Sequence, residues 1–113
     1  MYNKELIKGT LQTIILKLLS EKEKMYGYEI TQHVREITEG KIILTEGALY
    51  PSLHKLEAEG FLITEKVKIG KRVRKYYSLT TKGSSSAELK VNELVDFFKT
   101  MKQIITPKLS AKS

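Results

Sequence analysis

The chain has no cysteine, no tryptophan, two histidines and two prolines among 113 residues. Without thiols there is no disulfide framework, no thiolate zinc site and no thiol nucleophile, and the composition suits a reducing compartment. No apolar run approaches the roughly 20 residues that cross a bilayer. The opening Met1-Tyr2-Asn3-Lys4-Glu5 does not lead into an uninterrupted apolar stretch, so neither a signal peptide nor membrane association is expected, and the expected location is cytoplasmic. His33 and His54 lie far apart in sequence, and no glycine-rich phosphate loop, nucleophile elbow or metal-ligand spacing is present. The Ser84-Ser85-Ser86 run follows Gly83 at a helix start, where serines satisfy free amides. No catalytic residue, metal or cofactor is therefore expected.

Acidic residues are missing from one place above all. Between Lys66 and Lys75 six of ten residues are cationic (Lys66, Lys68, Lys71, Arg72, Arg74 and Lys75) and none is anionic. The whole chain carries +7, so this stretch holds nearly all of the net charge. Such a local field matches a polymer of phosphates, because each neutralised phosphate releases condensed counterions.

Hydrophobic periodicity places the elements. Leu6, Ile7, Leu11, Ile14, Ile15, Leu18 and Leu19 predict one amphipathic helix over about Leu6 to Ser20. A polar link, Glu21 to Lys24, precedes a shorter helix from near Gly27, with Ile30, Val34 and Ile37 inward, that ends before Gly40. Ile42 to Leu44 reads as a short strand or extended link. Thr45 suits an N-cap for a third helix reaching Glu59, with Gly60 as its stop and Leu49, Leu53 and Leu56 on one face. Pro51 interrupts that pattern: either the helix proper starts there or its first turn is distorted.

From Phe61 to Ile69 the period becomes two, with Phe61, Ile63, Val67 and Ile69 on one face and Thr64, Lys66 and Lys68 on the other. After the basic turn, Val73, Tyr77 and Leu79 form the inner set and Arg74, Tyr76 and Ser78 the outer. A two-residue Gly70-Lys71 turn would pair Ile69 with Arg72 and Val67 with Arg74, mixing apolar and charged faces. A three-residue loop, Gly70 to Arg72, pairs Ile69 with Val73 and Ile63 with Leu79 and keeps the faces consistent, so that register is expected. It sets Lys68 across from Arg74, a like-charge pair that bound phosphate would relieve.

Helix, helix, short strand, helix and basic hairpin, in that order, predict a mainly α fold with a small β-hairpin: a winged helix-turn-helix over residues 1–80. The third helix would enter the major groove and the cationic hairpin would grip the flanking backbone of double-stranded DNA. Its outer face carries Gly47, Pro51, His54 and Lys55, with Ala48 and Ser52 at the edge and Thr45 at the start. This helix offers few of the side chains that usually read bases, so shape and backbone contacts are expected to contribute more than usual. From Thr81 the helical period returns. Ala87, Val91, Leu94, Phe98, Met101 and Ile105 recur at heptad spacing, widened by Val95, Phe97 and Ile104, until Pro107. Residues 81–106 are expected to be a dimerisation helix and 107–113 a flexible tail.

Four segments carry a family resemblance. They are Tyr26-Gly27-Tyr28-Glu29-Ile30, Glu46-Gly47-Ala48-Leu49-Tyr50-Pro51-Ser52-Leu53, Leu56-Glu57-Ala58-Glu59-Gly60-Phe61 and Arg74-Lys75-Tyr76-Tyr77-Ser78-Leu79-Thr80-Thr81-Lys82-Gly83. In order and spacing they resemble the PadR-like bacterial transcriptional regulators, in the short form with a single terminal helix. The resemblance implies a dimeric winged helix-turn-helix repressor that binds an inverted-repeat operator and is released by a small-molecule effector; the expected location is cytoplasmic and nucleoid-associated. It also implies that the third helix runs through Pro51, and that Tyr50 either lies near the DNA backbone or packs beneath the helix.

The apolar stripe of the terminal helix is wider than one partner helix covers, which points to a homodimer formed by Leu11, Ile15, Val91, Leu94, Val95, Phe98, Met101 and Ile105. Many family members carry a tryptophan on this helix that lines a ligand site at the dimer centre. Here Leu94 holds that position, and Leu94, Phe97 and Phe98 are the effector-site candidates. The rival reading is a winged-helix interaction module that docks an acidic partner without sequence-specific DNA binding. RNA binding has less support, because stacking aromatics are limited to Tyr76 and Tyr77.

Overall fold

Capping side chains mark where most of the helices begin. The computed structural model describes residues 2–107, with α1 (Lys4–Lys8), α2 (Leu11–Glu21), β1 (Met25–Tyr26), α3 (Gly27–Ile37), α4 (Glu46–Ala58), β2 (Leu62–Ile69), β3 (Arg72–Leu79) and α5 (Thr81–Ile105). Asn3, Thr45 and Thr80 accept hydrogen bonds from the backbone N–H groups of Glu5, Ala48 and Gly83, satisfying donors that a first helical turn leaves free. At α3 the bond runs the other way: the Glu29 carboxylate accepts from the Tyr26 N–H at 3.3 Å.

One core joins every layer. Leu11, Ile15, Leu16, Leu18 and Leu19 of α2 meet Ile30 and Val34 of α3, and Leu49, Leu53 and Leu56 of α4. Met25, Leu62 and Tyr77 close it from the sheet, and Ala87 from α5. Burying a large apolar side chain stabilises the fold by about 1.5–3 kcal/mol, so this cluster orients the helices and α4 above all. Only the first part of α5 shares in it, and the rest projects until the molecule measures 67 × 30 × 20 Å.

Several sequence expectations need correction. The single helix expected over Leu6 to Ser20 is two, because Gly9 caps α1 and both the N–H and the hydroxyl of Thr10 bond the Ile7 carbonyl. Ile42 to Leu44 is the extended link rather than a strand. Ile42 is tied to the Thr38 hydroxyl through both its N–H and its carbonyl, and Leu44 drops into the core. The sheet gains a third strand instead, β1, in the order β1-β3-β2. Ile37 ends α3 exposed rather than inward. Helix α4 runs through Pro51 from its Thr45 cap. The N–H that Pro51 lacks would have met the Gly47 carbonyl, and Gly47 is an exposed residue. Of the tail, residues 108–113 lie outside the described residues.

The hairpin register is the largest correction. The turn is the two-residue Gly70-Lys71, with Gly70 at φ +61°, and it pairs Ile69 with Arg72, Val67 with Arg74, Lys68 with Val73 and Leu62 with Leu79. Two-residue turns with positive φ match the twist of paired strands, and that local preference prevails. Leu62 is therefore inside, while Ile63 is 57% exposed. Lys68 does not face Arg74; the like-charge pair is Lys66 with Lys75. Consistent faces are needed only where the sheet meets the core, and the free end of the hairpin lies beyond it.

Thr80 ties three elements at their meeting point. Its hydroxyl donates to the Gly60 carbonyl at 2.7 Å and accepts from Gly83 N–H at 2.9 Å, while its own N–H donates to Phe61 O at 3.1 Å. Thr80→Ala should lose about 1–2 kcal/mol of unfolding free energy in a urea titration, and Thr80→Ser should recover most of it.

Candidate nucleic-acid interface

Helix α4 stands between two unlike clefts. Its inward leucines are fully buried, which leaves Gly47, Pro51 and Lys55 along its crest. On one flank Tyr50 and His54 line a cleft of about 720 Å³ shared with Tyr26, Gly27, Tyr28, Ile69, Arg72, Val73, Arg74, Lys75 and Tyr77. On the other flank Ala48, Pro51 and Ser52 face α1. Thr45 is exposed but its hydroxyl is engaged as the helix cap, and the Ser52 hydroxyl donates to Ala48 O at 3.2 Å.

Tyr50 packs inward as well as lining the cleft. Its phenol lies against the first turn of α3 so closely that a Cβ on Gly27 would collide with the hydroxyl and the ring. Gly27 is thus needed for the approach of α3 to α4, and Tyr50 is the strut that sets their spacing.

The hairpin is braced to the helices by side chains that its charge pattern did not reveal. Glu57 of α4 accepts from the Thr64 hydroxyl at 3.2 Å and pairs with Lys75 Nζ at 3.7 Å. Since Thr64, Lys66 and Lys68 share one face of β2, that face looks toward α4. On the opposite face the Arg74 guanidinium lies 4.0 Å from the Tyr26 ring centroid, Tyr26 meets Tyr76 edge to face at 5.5 Å, and Lys24 Nζ sits 4.8 Å from the Tyr76 ring. Lys24 also pairs with Glu65 at 3.3 Å. The Tyr76 phenol, chief among its neighbours, raises the affinity of Arg74 for its proton. Burial pushes the Tyr77 phenol up, so it stays neutral under the sheet.

The six cations of the hairpin therefore divide. Arg74 and Lys75 are half-buried and engaged with Tyr26 and Glu57. Lys66, Lys68, Lys71 and Arg72 are exposed, and none is in an ion pair among the described residues. Tyr26, Glu57 and Thr64 were missed as site residues. The spacing of Tyr26 and Glu29 at a helix start was the available signal for the first, and no local pattern marks the other two.

The profile of the transcriptional regulator PadR-like family matches residues 15–89. The chain belongs to that family. Transcriptional regulator Rv3488 of Mycobacterium tuberculosis is similar to this PadR-like chain, with 30% identity over 83 residues, 74% of each protein. Among solved structures, a transcriptional regulator from Clostridium thermocellum, Cth-833, superposes with a TM-score of 0.83 at 29% identity, covering 90% of this chain and 99% of that one. A PadR family transcriptional regulator from Eggerthella lenta gives 0.74 at 30% identity, covering 91% and 88%. Family members are transcriptional regulators rather than enzymes, and membership implies DNA-binding regulation. Among the described residues no helix is long and apolar enough to cross a membrane.

The last two sequence-expected sets lie on and beneath α5. Leu11 and Ile15 are 4% and 0% exposed within the protomer, so they belong to its own core and offer a partner no surface. Val91, Leu94 and Met101 are half-buried, whereas Val95, Phe97, Phe98 and Ile105 are exposed.

Gly27→Ala and Tyr50→Leu should each destabilise the fold, the first by about 1–3 kcal/mol. The double variant should lose less than the sum, because removing the phenol opens the space the new methyl needs. Strict additivity in denaturant titrations would show that the two positions do not share one packing site.

Proposed function

We propose that this PadR-like regulator is a homodimeric repressor that binds an inverted-repeat operator and is released by a small-molecule effector. The observation that carries the dimer is the distal half of α5, where Phe97 and Phe98 are each 53% and Ile104 and Ile105 each about 70% exposed. On helical geometry Val91, Leu94, Phe98, Met101 and Ile105 form one seam, Val95 flanks one edge, and Phe97 and Ile104 flank the other. That arc is wider than one helix covers, so the proposed partner brings two elements: its own α5, and its α1, whose Leu6 is exposed. Leu94, Phe97 and Phe98 then line the dimer centre as effector-site candidates.

On DNA, α4 would enter the major groove by its crest of Gly47, Pro51 and Lys55, with Ala48, Ser52, Thr45 and His54 alongside. Small residues there allow close approach, and phosphate contacts hold the register. Lys66, Lys68, Lys71 and Arg72 are the free wing cations, with Arg74 and Lys75 set behind them in braced positions. Two-fold symmetry in the protein calls for a matching symmetry in the operator.

Selection from random duplex DNA should enrich an inverted repeat, with affinity that falls steeply as salt rises. Lys71→Ala together with Arg72→Ala should weaken binding to all sequences and flatten the slope of log affinity against log salt by about 2. An unchanged slope would place the wing away from phosphate. Phe98→Asp should sediment as a monomer and bind the selected operator at least about tenfold more weakly, since an apolar anchor is lost and a charge is buried in its place. A persistent dimer would refute the interface.

A further inference from the structure

The flank of α4 that faces α1 is a second cleft, separate from both the basic cleft at the wing and the α5 seam. It has a volume of about 510 Å³, within the range of ligand sites, and its wall is largely aliphatic: Ile7 and Leu11 on one side, Ile43 and Leu44 on the floor, Ala48 and Pro51 on the other. Lys4 and Lys8, one helical turn apart on α1, stand at its rim, with Tyr2 and the single carboxylate Glu5. Neither lysine is in an ion pair among the described residues. Leu6 points away from this cleft, so α1 could meet a partner by that face and leave the cleft open.

We propose that this cleft binds a small amphipathic anion, with an apolar body against Ile43, Ala48 and Pro51 and its anionic head between Lys4 and Lys8. Apolar walls with a few convergent charges at one end select that class of molecule over a neutral polar one. Its wall includes Gly47, Ala48, Pro51 and Ser52, which also belong to the side of α4 proposed above to face DNA. Ligand and DNA therefore draw on the same residues, and by linkage each lowers the affinity of the other by one common factor. The antagonism rests on the DNA contacts proposed for α4; the cleft itself does not.

The full-length chain should be titrated with 8-anilinonaphthalene-1-sulfonate, an aromatic body with one anionic head, while probe emission is followed. The expected result is saturable binding of a single probe per chain. Ile43→Trp, which fills the cleft, should weaken it at least about tenfold, and Lys4→Gln with Lys8→Gln should weaken it severalfold. The exposed lysine pair gives a second reading if the tryptophan variant fails to fold in a thermal scan. Binding that survives both sets of changes, or that disappears with Phe98→Asp instead, overturns the site. Duplex DNA bearing the selected operator should raise the half-saturating probe concentration by about tenfold. Simultaneous binding without interference overturns the antagonism. Because the probe is first read without DNA, a chain that selects no operator leaves the test of the cleft intact.

Discussion

Three leucines on α4 fix what the rest of the molecule presents. Leu49, Leu53 and Leu56 are fully buried beneath the helix, against α2 and the sheet. Because helical side chains share a face at spacings of three and four, burying those three settles the rotation of α4 about its axis. The crest of Gly47, Pro51 and Lys55 and the two flanks are then determined, one flank toward the wing and one toward α1. Turning the helix would move leucines into water and polar groups into the core, at a cost comparable to the stability of a small domain.

The wing depends on that constraint at one remove. Glu57 extends from the last turn of α4 to Thr64 and Lys75, so the angle of the hairpin follows from the position of the helix. As a partly exposed ion pair it contributes little to stability, and its value lies in geometry. Tyr26 does the corresponding work on the other face by stacking under Arg74. In the DNA complex proposed above, a charged arm that swung freely would lose entropy on binding, and bracing would lower that loss in advance. The cations thus split into a braced pair on β3, Arg74 and Lys75, and an exposed set that runs from Lys66 round the turn to Arg72.

Much of this was legible in the chain. Helical period, the Thr45 cap and the alternating run from Phe61 placed α2, α3, α4, the hairpin and α5, and the charge of residues 66–75 marked the wing. The hairpin register was not legible, because face consistency does not govern the whole strand. It holds only near Leu62 and Tyr77, where the core demands it, and beyond them Gly70 decides. The two-residue strand Met25–Tyr26 has no periodicity to detect and exists only because β3 lies beside it. Leu11 and Ile15 were drawn toward a partner because a helix pattern shows that a face is buried, not which surface buries it. The contacts from Glu57 to Lys75 and from Tyr26 to Arg74 join positions well apart in sequence, so although the spacing of Tyr26 and Glu29 marks a helix start, no local pattern shows what either residue braces.

The length and stiffness of α5 have a bearing on the DNA itself. This helix of 25 residues leaves the Thr80 junction as one rigid rod, with no proline inside it. If two chains meet along its apolar seam, the distance between their α4 helices is a matter of where along the rod the seams engage. A shift by one heptad displaces a protomer by about 10 Å, the rise of about three base pairs. The spacing between operator half-sites would then be written in α5, far from any residue that touches a base.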